Sequence, residues 1–189
     1  LALLSLAPFC FADLPDPLVS EKGIPIETAA QWNEQRRPEL IDLFATHLYG
    51  KAPVGRPEDL AFKTMETDPQ AMNGQATLKR VAITFSGPGG DGKIEAIIFV
   101  PNNHTHPAPG FLLICHRDKE NIDPTRETRM PFWPAEEIVA RGYAAITFHV
   151  SDVDPDKHDG FQNRVHKIFD PWPPRERPDD AWGTLVCCL

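Results

Sequence analysis

Residues 111–156, FLLICHRDKENIDPTRETRMPFWPAEEIVARGYAAITFHVSDVDPD, constrain the fold more than any other stretch of the chain. FLLICH and YAAITFHV are short, nearly continuous apolar runs, the pattern of strands buried on both faces, and EEIVARG between them reads as a compact helix stopped by Gly142. A strand, a crossover helix and a second strand make a parallel unit, and in open α/β sheets ligands bind beyond the carboxyl ends of such strands. Both ends open into polar loops, His116 to Glu120 and Ser151 to Asp156.

The chain has 189 residues, 41% of them hydrophobic and 24% charged, enough for one domain with a real core. A net charge of −8 without a basic stripe argues against a nucleic-acid partner. Twenty prolines, roughly twice the usual share, stiffen long loops such as PNNHTHPAPG and DPWPPRERPDD.

Residues 1–12, LALLSLAPFCFA, are apolar and uncharged, too short to span a bilayer, and end in a small-x-small pattern at Cys10-Phe11-Ala12. They read as part of a secretory signal peptide, which makes residues 13–189 the mature domain, secreted or periplasmic and with no membrane contact after cleavage. Cys115 reads as a small buried hydrophobe, and the adjacent Cys187 and Cys188 define no disulfide scaffold or metal motif.

Residues 13–27 are proline-punctuated, predicting an extended arm without regular structure. Thr28 is the expected N-cap of a helical text that Pro38 splits in two, with Leu40, Leu43, Phe44, His47 and Leu48 as its apolar stripe and Gly50 as its stop. Trp32 is expected as an aromatic anchor, and Arg36 and Arg37 as solvated side chains. Strands follow at 60–66, TLKRVAITFSG and KIEAIIFVP, the last two joined as an antiparallel hairpin by GPGGDG. That glycine run lacks the Lys-Ser/Thr and the helix of a phosphate loop. His104-x-His106 has too few ligands for a metal site, and Asp152, Asp154 and Asp156 fail the calcium-loop pattern, so a solvated acidic loop is expected. The segment 152–180 reads as long and polar, ending at a helix N-capped by Asp179 or Asp180. No cofactor is implied.

An antiparallel hairpin leading into parallel strands with crossover helices is the opening order of an α/β-hydrolase fold. LPDPL at 14–18, W-x-x-x-R-R-P-E-L at 32–40, Tyr49-Gly50, RGYAAITFHVSDVDPD at 141–156 and D-x-W-G-T-L at 180–185 resemble the glucuronoyl esterases and their acetyl-xylan-esterase-like relatives. The resemblance implies the N-terminal portion of a secreted serine carboxylic-ester hydrolase, with polysaccharide or a small ester as its partner. It also implies an incomplete sheet whose edge is YAAITFHV, and a triad encoded beyond Leu189, because Ser5, Ser20, Ser86 and Ser151 all lack the glycines of a nucleophile elbow. His116 and Arg117 are then the active-site loop candidates, beside one backbone donor of an oxyanion hole. The isolated chain is expected to be inactive and aggregation-prone. Two other readings stand beside this one: a Ser151–His116–Asp152 constellation, and a non-catalytic carbohydrate-binding domain exposing Trp32, Trp133 and Trp172. Oligomeric state is open.

Overall fold

The computed structural model describes residues 14–103, 106–155, 157–172 and 176–184. The proposed leader with Cys10, His104, Asp156, Cys187, Cys188 and the body of the last helix lie outside them. The chain divides into two compact units, one up to Leu48 and one from Tyr49 onward.

In the first unit the arm carries one bridge, Val19 with Pro25, closed by a turn in which Gly23 donates to the Ser20 carbonyl at 2.9 Å. Thr28 caps the helix as expected. Its hydroxyl accepts the Gln31 N–H at 3.1 Å, and the Gln31 side chain accepts the Thr28 N–H at 3.0 Å. The expected split falls where the sequence puts it, with Pro38 in the first turn of α1 (Arg37–Phe44), but as a change of winding rather than a break: helical backbone runs from Ala29–Gln31 through Trp32–Arg36 and α1 to Ala45–Tyr49. Trp32–Arg36 is wound as a π-turn, with the Arg37 N–H on the Trp32 carbonyl, and the wider turn brings the chain past the proline. Arg36 is buried rather than solvated, donating to the Pro17 carbonyl at 3.0 Å and to Glu39. A carboxylate one helical turn on and a carbonyl of the preceding arm supply its partners, which no charge pattern announces.

The second unit is built on β1 (Ala61–Gln70), β2 (Ala76–Gly87), β3 (Gly90–Pro101), β4 (Gly110–Cys115) and β5 (Ala144–His149), in the order β1-β2-β3-β5-β4. The first three are antiparallel neighbours, and β4 and β5 run parallel with Gly110 opposite Ala144 and Cys115 opposite His149. The glycine run makes the tight β2–β3 hairpin, Gly87 opposite Gly90. Two short helices, α2 (Ala135–Ala140) and α3 (Arg164–Phe169), complete the fold.

Period-two alternation divides the core into two faces. Leu78, Ile97, Phe99, Cys115 and Ala145 pack with Trp133 and Val139 on the α2 side, while Phe85, Phe148, Val153, Val165, Ile168 and Trp182 gather on the α3 side. Phe99 and Trp133 meet at 5.7 Å between ring centroids. α3 lies inside the segment read as long and polar; six residues of mixed polarity give too short a period to detect.

The edge of the sheet also differs from expectation. β5 is interior, paired on one side with β3 through Ile97 to Phe99 and on the other with β4, so FLLIC is the edge strand. Its Phe111 and Leu112 are 57% and 58% exposed. They border an apolar groove of about 560 Å³ with Phe132, Ile138 and Tyr143.

Candidate functional site

The loops after β4 and β5 meet at the carboxyl end of the parallel pair, and one imidazole ties them together. His149 ends β5; its Nε2 donates to the Arg117 carbonyl at 2.6 Å. A carbonyl can only accept, so the ring is the Nε2–H tautomer and Nδ1 is left as the acceptor. Nδ1 receives both the Ser151 hydroxyl, at 2.6 Å, and the Ser151 backbone N–H, at 3.1 Å. Ser151 lies in the single turn Val150–Asp152.

His116 and Arg117 fall in this loop, as the sequence predicts, and both are held by Phe132. The His116 ring meets it edge-on at 5.3 Å, and the Arg117 guanidinium lies 4.3 Å from the ring centroid. Cys115 is fully buried one residue before them, its Sγ contacting the Arg117 carbonyl at 3.5 Å, and burial pushes its thiol pKa up, away from reactivity. The constellation Ser151–His116–Asp152 is not assembled. Ser151 bonds His149, His116 stacks on Phe132, and Asp152 turns to Lys119 at 3.5 Å and the Glu95 N–H at 3.2 Å. The sequence places His149 at a strand end beside Ser151 but gives it no role in that constellation.

Beside the loops lies a cleft of about 430 Å³, floored by Arg80, Lys93 and Glu95 of the sheet and walled by Lys119, Asp152 and Arg164. Arg80 is fixed by Glu95, through its Nε at 2.8 Å and its Nη2, and by Glu66 at 3.1 Å.

A second polar cluster underlies the β5 loop. Asp154 is buried, so the acidic loop is not uniformly solvated. Its carboxylate stands 3.5 Å from His166 Nε2 and accepts the Thr184 hydroxyl. His166 Nδ1 lies 3.5 Å from Asp170, which pairs with Arg177 and accepts the Trp182 indole N–H. Burial lowers the His166 pKa and raises that of Asp154, so both favour the neutral form. Asp152 and Asp154 thus serve different partners. Among the described residues no group of three or more His, Cys, Asp or Glu side chains is placed to hold a metal ion.

The sugar-platform reading loses one of its three tryptophans. Trp133 is 1% exposed in the core, with the Arg126 guanidinium 4.9 Å from its ring, and Trp32 and Trp172 are half-buried. No helix among the described residues is long and apolar enough to cross a membrane.

No family model matches the sequence. The chain is 29% identical to the carbohydrate esterase MZ0003 of an unknown prokaryotic organism over a 203-residue alignment covering 92% of this chain and 46% of that protein. Among solved structures it is similar to a glucuronoyl esterase from Solibacter usitatus, with a TM-score of 0.78 and 26% identity over 93% of this chain and 50% of the other. It is also similar to the CE15 glucuronoyl esterase from Teredinibacter turnerae T7901, at 0.74 and 25%, over 92% and 43%. The relatives bear out the resemblance read from the sequence, and the open five-stranded sheet matches part of their α/β-hydrolase fold. The chain spans about half the length of the relatives it matches.

Proposed function

We propose that this chain is the N-terminal portion of a secreted carboxylic-ester hydrolase that acts on plant polysaccharide, cleaving glucuronoyl or acetyl esters of xylan, and that it has no esterase activity by itself. The observation that carries this reading is the fold match, which takes in 93% of this chain but only 50% of a glucuronoyl esterase. The sequence supports the division of labour. None of its serines has the flanking glycines of a nucleophile elbow, and the serine best placed, Ser151, is engaged through its hydroxyl and its amide with one ring nitrogen.

On this reading the half described here supplies scaffold and one wall of the site. The Arg117 loop, pinned by His149 and Phe132, presents its backbone beside the position of the nucleophile, which the other half provides. Residues 1–12 act as the export leader. The test is to read the coding DNA beyond codon 189. A continuing frame with a Gly-x-Ser-x-Gly elbow and a later histidine is the expected result, and a continuing frame lacking any such elbow overturns the proposal.

A further inference from the structure

The sheet face that carries Ile97 and Phe99 into the core runs out into charge at its other end, where β2 and β3 present Arg80, Lys93 and Glu95. Four cations and two anions line the cleft there, in a chain whose net charge is −8. Ion pairing engages two of the cations: Arg80 with Glu95 and Glu66, Lys119 with Asp152. Lys93 and Arg164 remain. Among the described residues neither side chain has a hydrogen-bond or ion-pair partner, although both border the same cavity.

Arg164 is also held in an unfavourable backbone conformation. Its φ of 51° lies in the left-handed region, which L residues adopt at an energetic cost, and strain of this kind collects at ligand sites. The neighbouring Val165 N–H, bound to the Val153 carbonyl at 3.1 Å, ties the start of α3 to the β5 loop and fixes where Arg164 stands. Ile97, Ile122 and Pro124 give the cleft an apolar side.

We infer that this cleft binds the carboxylate of an acidic sugar, with Lys93 and Arg164 as its charge partners and the half-buried Pro124 as the surface against the ring. A guanidinium offers a carboxylate two parallel donors, and an ammonium adds a point charge. The two existing ion pairs hold Arg80 and Lys119 in place, so the remaining positive charge needs no rearrangement to receive an anion. That the sugar is a uronic acid rests on the proposed function: hydrolysis of a glucuronate ester adds water and breaks the acyl C–O bond, releasing the alcohol and a proton and leaving a carboxylate, the class of group this cleft takes. That the site accepts an anion does not rest on it.

The experiment is a titration of the purified chain with sodium D-glucuronate at low ionic strength, read by calorimetry or amide chemical shifts, alongside methyl D-glucuronate, D-glucose and inorganic phosphate. Saturable binding of glucuronate is expected, with the neutral ester and glucose weaker by about tenfold or more. Lys93→Ala and Arg164→Ala should each weaken it by a similar factor, while Lys63→Ala on β1 leaves it unchanged. Arg164→Gly removes the guanidinium at a backbone angle that glycine adopts freely, and an unchanged circular dichroism spectrum separates a loss of binding there from misfolding. Absence of saturable glucuronate binding, equal binding of the methyl ester, indifference to both substitutions, or phosphate binding as tightly as glucuronate each overturns the inference. No turnover is measured, so failure here leaves the esterase proposal standing, and failure of that proposal leaves the anion site to be judged on its own titration.

Discussion

His166 sits fully buried between Asp154 and Asp170, with the rings of Phe161 and Trp182 against it at 4.8 and 5.0 Å. Its lowered pKa gives a definite sign. In the pH range just below the ordinary histidine value of about 6.5 the unfolded chain takes a proton that the native ring does not, so stability is full above that value and falls on acidification. Asp154 works the other way, since its raised pKa means that the native state holds an extra proton from the ordinary carboxylate value of 3.8 up to the raised one. Urea denaturation midpoints should therefore drop from pH 7 to pH 5.5, and His166→Gln should flatten that drop; an unchanged slope contradicts the assignment. Glu136 is the opposite kind of group. The buried Arg126 beside it, bonded at 2.8 and 2.9 Å, holds its carboxyl below the usual range, so this pair stabilises above that range and its contribution is lost only as the pH falls through the lowered value. Glu136→Gln is expected to cost about 2 kcal/mol at neutral pH, measured by chemical denaturation. Ser151 should resist a fluorophosphonate probe, with no adduct in the intact mass; stoichiometric labelling at Ser151 contradicts its role as a loop tie. The residues that carry these arguments were poorly legible. His116, Arg117, His149 and Ser151 could be placed because they stand at the ends of visible strands, whereas the burial of His166 and Arg126 depends on how the loops around them pack, which their local text does not reveal.

The strands and the hairpin were legible because period-two alternation and a glycine-rich turn are local signals. The helix α3 was not, and the structure shows what sets it in place. Gly89 donates to the Ile168 carbonyl at 2.9 Å, and a Cβ at Gly89 would come to 1.9 Å from the Lys167 carbonyl oxygen. Both contacts are backbone, so no side chain can yield. Gly89→Ala is predicted to push the β2–β3 hairpin off α3 and cost about 3 kcal/mol, read as a fall in the thermal midpoint. Gly90→Ala is the control for a turn glycine with open space around it, where only its φ of 126° opposes the substitution. Pro38 teaches the complementary lesson. A proline in helical text predicts a break, yet a π-turn ahead of it let the helix continue, a choice of backbone winding that composition does not encode.

At the scale of the whole molecule, the order of strands decided what the sequence could only half supply. Two parallel runs and a crossover helix were read correctly, but which run forms the edge depends on whether β3 pairs with β4 or β5, a long-range choice. The answer leaves Phe111 and Leu112 exposed on an edge strand beside an apolar groove. Such an edge invites pairing with other chains. The chain should self-associate in a concentration-dependent way, and Leu112→Lys should shift it toward monomer in light scattering; a wild-type chain that stays monomeric at high concentration contradicts this. The account as a whole turns on the division between a scaffold half and a catalytic half. Its most direct test is hydrolysis of benzyl D-glucuronate by the purified 189-residue chain and by the product of the frame read through beyond codon 189. Turnover by the longer product, with none above background by the chain alone, is the predicted result. Turnover by the chain alone that survives Ser151→Ala, or that vanishes with it, would contradict the claim that the nucleophile lies in the other half.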